Sequence, residues 1–415
     1  MNILLCPMGS SGDVHPFVGL GVALAARGHR VRMIVNEYFE ELVRRVGLEY
    51  IEFTTAKDFI ELADHPALWH PRRAFFYLAQ HGILKWMRQQ YEIIREHHVP
   101  GETVVVASCL GFGARIAQEH LGIPLISAHL QPFVLWSSYA TPHHSTIPFL
   151  RFLPRPLKDA FFWTGEKFII DPFVCPETNA FRRELGLPPM KRAFGRWIHS
   201  PLATLCLFPE WYAARQPDWP RNTHTTGFPL WDERHVTTMP PQLNDFLNRQ
   251  DPPIVFTPGS AVLHGQDFFH AAVEATQRLG KSGILLTRFP EQIPRSLPET
   301  VRHYDYIPFS QVLPRAAALV HHGGIGSTAQ AMAAGIPQLI MPMAHDQPDN
   351  ARRVKKMHTG DWLLPRHFSG RRVAEKLSRL LNAPHIGQHC RKIQERFQDA
   401  DPMSQACDVI EEAIR

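Results

Sequence analysis

Short apolar runs alternate with amphipathic helical patterns along most of the chain. Strands are predicted at Ile3–Cys6, Val31–Val35, Thr103–Ser108, Pro124–Ser127, Pro253–Thr257, Gly283–Thr287, Ala316–Val320 and Gln338–Met341. Helices are predicted at Phe17–Ala26, Glu37–Val46, Phe112–His120, Phe268–Leu279, Ala329–Ala334 and near Asn350–Met357. Strands that alternate with helices indicate parallel sheets covered on both faces, and right-handed crossovers then give doubly wound domains.

The length of 415 residues favours two domains over a single core. Proline and polar residues indicate a linker over 216–241, between an N-terminal domain over 1–215 and a C-terminal domain over 242–390. We expect helices over 391–415, which can pack back on the N-terminal domain; Asp401 and Pro402 fit the N-cap and first position of a last helix that runs to Ile414. Ligands of such folds bind in the cleft at the carboxyl ends of the strands.

Composition narrows the class of protein. The chain is 44% hydrophobic and 20% charged with a net charge of +5, and its dispersed basic residues give no reason to expect a nucleic-acid partner. The six cysteines show no C-x-x-C spacing, so no metal site is predicted. Met1 leads directly into a strand pattern, and no apolar run approaches the roughly 20 residues of a membrane span, so we expect a cytoplasmic protein.

Three turns in the second half follow predicted strands. They are Pro258-Gly259-Ser260, the glycine-rich segment His322–Thr328 and His345-Asp346-Gln347. A glycine turn before a helix lets backbone N–H groups approach an anion, so the second turn predicts a pyrophosphate cradle. The acid and amide of the third turn suit polyhydroxyl groups, and together they indicate a nucleotide-sugar site. Ordinary strand–helix turns are the alternative, and it is strongest for Gly259 and Ser260.

The segment Gly9–Pro16 follows the first predicted strand and is not the G-x-G-x-x-G pattern of nicotinamide-binding folds. It places Asp13 and His15 at the expected sheet edge, where either side chain is a candidate general base. The structural alternatives are that Asp13 caps the following helix and that His15 is only a neighbour of the pocket.

Two aromatic-rich segments, 58–99 and 131–174, interrupt the α/β rhythm of the first half. Insertions of this kind fall on loops and carry specificity, so we expect a hydrophobic pocket there, with core packing as the alternative. The residues assigned to this pocket are Trp86, His129, Phe133 and Trp136. The second segment also carries Arg151, Arg155, Lys158 and Lys167, which is compatible with contact to a membrane surface.

These motifs resemble those of the family 1 glycosyltransferases of the GT-B fold, of the bacterial macrolide and flavonoid type and the sterol 3-β-glucosyltransferase type. The family pattern G-S-x-G-D-V-x-P stands at Gly9–Pro16, H-H-G-G-x-G-T at His321–Ser327, A-G-x-P-Q at Ala334–Gln338 and D-Q-x-x-N-A at Asp346–Ala351. The resemblance spans essentially the whole chain. It implies an α/β protein with two Rossmann-like, doubly wound parallel-sheet domains that face each other across a cleft.

The resemblance also implies inverting, metal-independent transfer of a hexose, with glucose favoured, to a hydroxyl of a sterol, carotenoid, polyketide or flavonoid. Asp13, with His15 beside it, would be catalytic. The nucleotide sugar would be the co-substrate, with no cofactor and no metal. The residues expected at the donor are Ser10, Gly12, Gly259, Ser260, Tyr306, Ile307, His322, Gly324, Gly326, Ser327, Thr328, Gln330, Asp346 and Gln347.

Two positions depart from the family pattern. Gln330 stands where a glutamate often binds ribose, so a UDP-sugar is favoured over a dTDP-sugar without being settled, and Ser11 replaces a basic residue of the sterol group. A nucleotide-sugar epimerase of the same fold and a non-catalytic GT-B partner protein are the alternatives. We expect a monomer or weak dimer, with weak peripheral contact at the inner membrane face as a further option.

Overall fold

A computed structural model of the chain describes residues 1–248, 251–398 and 401–414. It divides into two compact units, one made of Met1–Gly9, Asp13–Pro229 and Asp401–Arg415, the other of Ser10–Gly12 and Leu230–Ala400. The predicted domain boundaries at 215, 241 and 390 stay predictions. The predicted ranges 242–390 and 391–415 contain Arg249, Gln250, Asp399, Ala400 and Arg415, which lie outside the described residues.

The first unit is built on a parallel sheet with the strand order β3-β2-β1-β4-β5-β6-β7. Its strands are β1 (Asn2–Cys6), β2 (Arg30–Val35), β3 (Glu49–Glu52), β4 (Thr103–Ser108), β5 (Leu125–His129), β6 (Ala203–Cys206) and β7 (Thr223–Thr225). The order changes direction between β1 and β4, so the turn after β1 lies at the switch point where open α/β sheets bind ligands.

Helices and short 3₁₀ or π segments cover this sheet. The helices are α1 (Ser11–Ala26), α2 (Glu40–Arg45), α3 (Ala56–Asp64), α4 (Ala74–Leu78), α5 (Lys85–His97), α6 (Phe112–Leu121), α7 (Arg155–Gly165) and α8 (Asp171–Glu184). One core forms where α5, α6 and α8 bury Tyr91, Ile116 and Phe181 together with Leu4 of β1 and Val105 of β4.

The second unit contains a parallel sheet with the order β10-β9-β8-β11-β12-β13. Its strands are β8 (Ile254–Thr257), β9 (Gly283–Leu286), β10 (Val301–Tyr304), β11 (Ala318–His321), β12 (Gln338–Ile340) and β13 (Gly360–Trp362). Here the order changes direction between β8 and β11, and β12 lies beside β11. The three turns that follow β8, β11 and β12 therefore open on one edge of this sheet.

The helices of the second unit pack against this sheet. They are α9 (Pro241–Leu247), α10 (Gln266–Leu279), α11 (Phe309–Val312), α12 (Ile325–Ala334), α13 (Gln347–Lys356), α14 (Gly370–Leu381) and α15 (Pro384–Glu395). Within the described ranges of the chain, no helix is both long enough and apolar enough to cross a bilayer.

The last helix, α16 (Pro402–Glu412), belongs to the first unit. Asp401 accepts a hydrogen bond from the Ser404 N–H at 3.0 Å and Pro402 opens the helix, which confirms the predicted cap. Arg27 donates to Asp408 at 2.6 Å, and His29 donates to Glu411 at 2.7 Å. These pairs hold α16 against the end of α1. The helix ends at Glu412 and not at the predicted Ile414.

The predicted fold class is confirmed, and the eight predicted strands are present to within two residues at either end. The sequence patterns missed β3, β6, β7, β10 and β13. Thr223–Thr225 lies inside the predicted linker and instead pairs with β6 as an edge strand of the sheet. An edge strand buries few side chains, so its sequence, here Thr-His-Thr, can be polar. The run of apolar residues that marks a buried strand is therefore missing.

Gly113 shows how tightly α6 packs on α5. A Cβ atom at Gly113 would lie 2.3 Å from the Met87 carbonyl oxygen and 2.7 Å from the Tyr91 nitrogen, and both neighbours are backbone atoms that cannot turn away. We expect Gly113→Ala to lower the free energy of unfolding by about 1–3 kcal/mol or more. The matched control is Gly165→Ala at the end of α7, where a Cβ meets nothing within 4 Å and should stabilise the helix slightly. Thermal unfolding of both variants tests this, and an equal midpoint for the two would contradict the packing argument.

Candidate functional site

The turns after β8, β11 and β12 form the candidate site of the second unit. His321 at the end of β11 pairs with Thr257 of β8 on one side and with Ile340 of β12 on the other. Because the strands are parallel and in this register, the residues that follow each strand begin at the same level of the sheet. The local sequence thus supplies the turns, and the strand order makes them neighbours.

The imidazole of His322 lies between two glycines from two different turns. A Cβ atom on Gly259 would lie 2.7 Å from the Cε1 atom of His322, and one on Gly324 would lie 2.6 Å from its Nε2 atom. Gly259 also has a φ of +106°, which residues other than glycine adopt at a cost. The ring can occupy this place only because neither position carries a Cβ atom. The backbone of each glycine therefore limits the ring on one side.

His322 is uncharged at neutral pH in this structure. Burial, with a smaller contribution from His345, lowers the pKa of His322 to about 4. Its Nδ1 atom is buried and has no hydrogen-bond partner within the described part of the chain. A buried polar nitrogen without a partner is costly, and such groups are commonly satisfied by a ligand or by ordered water.

The start of α12 presents backbone N–H groups beside this ring. Gly324 is the N-cap, and the N–H groups of Ile325, Gly326 and Ser327 in the first turn have no partner within the helix. The N–H and the hydroxyl of Thr328 both donate to the Gly324 carbonyl, each at 3.0 Å. Thr328 therefore stabilises the turn, a correction to its expected role at the phosphates, and the anion-binding groups are those of the residues before it.

His321 fixes the shape of the glycine turn, a role that the sequence did not reveal. Its Nδ1 accepts from the Gly323 N–H at 3.2 Å, and its Nε2 donates to Gln338 Oε1 at 3.0 Å. The Gln338 amide in turn donates to the Thr328 carbonyl at 3.3 Å. Burial lowers the pKa of His321 to about 3, so the ring stays neutral in the tautomer that these bonds need. The sequence feature that could have indicated this role was a histidine at the end of a buried strand.

The loop after β12 carries Asp346 and Gln347. Gln347 is buried, and its Oε1 accepts from the N–H groups of Met343 at 2.8 Å and Ala344 at 3.2 Å. Its carbonyl oxygen therefore shapes the loop, and the expectation that Gln347 binds sugar hydroxyls stays a prediction.

Asn350 is a further residue that the sequence reasoning did not assign. Its Nδ2 donates to Asp346 Oδ2 at 2.7 Å and to the Gly323 carbonyl at 2.9 Å. This buried amide joins the aspartate loop to the glycine turn. Its spacing of four residues from Asp346 on one helical face could have indicated the pair.

Tyr306 and Ile307, both expected beside the base of the donor, have different surroundings. The Tyr306 hydroxyl accepts from the Glu233 N–H at 3.3 Å, burial raises its pKa, and Arg288 lies 5.3 Å from the centre of its ring. The Ile307 side chain is buried in the core beside Val312 and Leu319, which corrects its expected place against a bound base. Ser260 is exposed after β8, and Gln330 is partly exposed on α12.

In the first unit, Asp13 lies over the turn after β1. A Cβ atom on Gly9 would lie 2.2 Å from Asp13 Oδ2, and Gly9 has a φ of +131°. Asp13 and His15 are both within α1 and two positions apart, so their side chains leave the helix in different directions. Ser10 lies in the turn after β1, and Gly12 is exposed in the first turn of α1.

The four residues expected at a hydrophobic pocket have different surroundings. Trp86 on α5 is partly buried and lies under the Lys85 ammonium group at 4.2 Å. Phe133 and Trp136 follow β5 and are partly exposed; Trp136 stacks on Phe162 with 5.7 Å between ring centres.

His129 is fully buried, and its Nε2 is 2.9 Å from the Nδ1 atom of His199. Burial holds the pKa of both histidines below the usual value, in His199 at about 4. His129 is thus part of the core, which corrects its expected place in the pocket.

Comparison with known proteins matches both halves of the chain. Residues 3–137 match the glycosyltransferase family 28 N-terminal domain, and residues 284–412 match the C-terminal domain of proteins like erythromycin biosynthesis protein CIII. O-mycaminosyltylonolide 6-deoxyallosyltransferase of Streptomyces fradiae is 30% identical over 99% of this chain and 97% of its own length. A sterol 3-beta-glucosyltransferase of Candida albicans is 28% identical over 86% of this chain, which covers 24% of that longer protein.

Solved structures share the fold. The glycosyltransferase of kitacinnamycin superimposes with a TM-score of 0.71 and 21% identity, covering 100% of this chain and 99% of the other. Spinosyn rhamnosyltransferase SpnG complexed with thymidine diphosphate gives a TM-score of 0.68 and 16% identity over 97% of this chain and 98% of its own.

The two hydrogen bonds of Asn350 give a testable prediction. Asn350→Ala leaves the Asp346 carboxylate and the Gly323 carbonyl without this donor, so the variant should unfold with a free energy lower by about 2–4 kcal/mol. The control is Asn382→Ala, because Asn382 is exposed and its amide donates to the nearby Ser378 hydroxyl at 3.3 Å. Chemical denaturation of the two variants and the parent chain measures the difference. Equal stability of Asn350→Ala and the parent would remove the joining role of this amide.

Proposed function

The chain belongs to the family 1 glycosyltransferases of the GT-B fold, and from this membership we propose inverting, metal-independent transfer of a hexose to a hydroxyl of a hydrophobic small molecule. The donor is a nucleoside-diphosphate sugar. The observation that carries the proposal is the partnerless Nδ1 atom of His322 beside the open N–H groups of α12. A diphosphate satisfies both at once.

The donor's diphosphate binds at the start of α12. The N–H groups of Ile325, Gly326 and Ser327 and the helix dipole meet its negative charge, and His322 adds one hydrogen bond. Asp346 binds sugar hydroxyls, and the Tyr306 ring with Arg288 above it offers a surface for the nucleobase. UDP-glucose is the first donor to test, and the thymidine diphosphate bound by SpnG makes dTDP-glucose the second.

Asp13 acts as the general base for the acceptor. Its carboxylate takes the hydroxyl proton while the hydroxyl oxygen attacks the anomeric carbon from the face opposite the diphosphate. The bond from that carbon to the diphosphate oxygen breaks, and the nucleoside diphosphate leaves with the electron pair. Backbone dipoles that already point at the departing oxygen stabilise its charge, so no metal ion is required for this step.

The acceptor is a lipophilic alcohol or phenol. The partly exposed rings of Phe133 and Trp136 offer apolar contacts with few polar groups. The relatives include a transferase acting on a tylonolide and one acting on a sterol, which supports polyketides and sterols as the first acceptors. Compounds of this kind partition into lipid, so peripheral contact of the protein with a membrane is chemically consistent with them.

A screen of donors against acceptors tests the proposal. UDP-glucose and dTDP-glucose are each incubated with a macrolide aglycone, a sterol, a flavonoid and a free sugar, and products are identified by mass spectrometry. We expect glycosides of the lipophilic acceptors, formed equally well with a chelator present. Glycosylation of the free sugar alone, interconversion of donor sugars without an acceptor, or a loss of activity that magnesium restores would each contradict a part of the proposal.

Asp13→Asn keeps the shape of the side chain and removes the proton acceptor. If Asp13 is the base, kcat should fall by about 10²–10⁴-fold while the KM for the donor changes little. The control is Asp305→Asn, because the Asp305 side chain is 77% exposed. Near-normal turnover in Asp13→Asn, with a large loss in His15→Ala, would transfer the role to His15.

The low pKa of His322 predicts how donor affinity depends on pH. A diphosphate beside the ring favours its charged form, so the pKa rises from about 4 when the donor binds. Donor binding then takes up a proton, and affinity should increase as pH falls from 8 towards 5. Calorimetry with an intact nucleotide sugar, whose diphosphate does not titrate in this range, measures the slope.

The matched variant is His322→Gln, which should lose that slope. At pH 8 the ring is neutral, so the variant should bind more weakly by only about 0.5–1.5 kcal/mol. The same slope in the parent chain and in His322→Gln would show that another group takes up the proton.

A further inference from the structure

The segment from Phe149 to Ile169 exposes large apolar side chains that the proposed reaction does not use. Phe152 is 74% exposed and Phe168 is 63% exposed, and no residue of α7 is buried. The other exposed residues of the set are Phe149, Leu157, Trp163 and Ile169. Among the described residues outside this segment, large hydrophobics are exposed only singly, at Met1, Val99, Tyr139 and Leu202. The concentration within one segment therefore calls for an explanation.

Cations accompany these rings. The Arg151 guanidinium lies 4.3 Å from the centre of the Phe152 ring, and the Lys167 ammonium lies 4.4 Å from that of Trp163. Arg155, which like Arg151 is near the N-terminal end of the segment, lies 3.9 Å from the ring centre of Tyr139. Each of these positive charges thus lies next to an exposed or half-exposed aromatic face.

Few negative charges balance them at the surface. Glu166 is turned inward, where it accepts from the Gly195 N–H at 2.6 Å and from Arg192 at 3.0 Å. Asp159 lies 3.8 Å from Arg155 and is the remaining acid between residues 149 and 169. The outer face of this segment is therefore apolar and positively charged at once.

We propose that this aromatic-basic surface, residues 149–169, docks on the face of an anionic lipid bilayer. Aromatic rings and leucine insert at the boundary between headgroups and acyl chains, and lysine and arginine remain at the level of the phosphates. A purely apolar partner would match the rings and leave the cations unmatched. A soluble acidic partner would match the cations and leave the rings in water, whereas a bilayer with anionic headgroups meets both. This docking is independent of the acceptor chemistry proposed above.

Vesicle co-sedimentation of the full chain tests the proposal. One set of vesicles is phosphatidylcholine alone, and the other is an equal mixture of phosphatidylcholine and phosphatidylglycerol. We expect binding to the mixed vesicles that weakens with added salt, and at least tenfold weaker binding to phosphatidylcholine alone. No sedimentation with mixed vesicles at low salt, or equal binding to both kinds, would overturn the proposal.

Paired variants separate the apolar and charged contributions. Phe152→Ser with Phe168→Ser should lower the partition coefficient at least tenfold, and Arg151→Glu with Lys167→Glu should lower it at least as much on the mixed vesicles. The matched controls are Val99→Ser with Leu202→Ser, and Lys57→Glu, whose side chain is 83% exposed. Equal loss in the controls would overturn the assignment of binding to this surface.

Sedimentation velocity distinguishes a lipid from a second copy of the chain as the occupant. We expect the parent chain and the Phe152→Ser, Phe168→Ser variant to show the same mass without vesicles. A parent dimer that this variant dissociates would replace the bilayer with a second copy as the occupant.

Discussion

In the second unit, the arrangement of the turns after β8 and β11 depends on the imidazole of His322, which lies between Gly259 and Gly324. These glycines come from the ends of β8 and β11, so the ring can occupy its place only if the two strands are neighbours in register. The same constraint directs the first turn of α12 beside the ring. His321 and Asn350 then hold the glycine turn from behind, through Gly323. A methyl group at either glycine would displace the ring, so the position of the ring depends on close backbone approach.

The two units share one local arrangement and differ in the side chain that it holds. In each, a titratable side chain lies against a glycine at the carboxyl end of a central strand, Asp13 over Gly9 and His322 over Gly259. Burial lowers the pKa of His322 to about 4; in the proposed reaction a bound diphosphate raises this pKa, and the proton that the ring then takes up strengthens binding. A carboxylate suits proton abstraction, and a neutral ring beside helix N–H groups suits a diphosphate. The first unit adds an outward apolar and basic surface over residues 149–169.

Much of this could be read from the sequence because the signals are local. Apolar runs and helical periodicity located eight strands within two residues at either end, and glycines beside polar residues marked the turns. The alternation of strands and helices indicated doubly wound parallel sheets, and the GT-B fold followed from the resemblance of the motifs. Edge strands such as β3 and β7 were not predicted, because an edge strand is partly polar and its sequence resembles that of a loop.

What the sequence determined by itself was therefore the elements, their order and the residues that stand in the turns. Only the tertiary structure decided which of these residues face outward. It buried His129 and Ile307 in cores, directed the Thr328 hydroxyl to the Gly324 carbonyl at the start of α12 and the Gln347 oxygen to its own loop, and left Phe152 and Phe168 exposed. It also lowered the pKa of His322 by burying the ring. Burial depends on contacts between residues that are far apart in the chain and come together only when the sheets form. Local sequence patterns do not show these contacts.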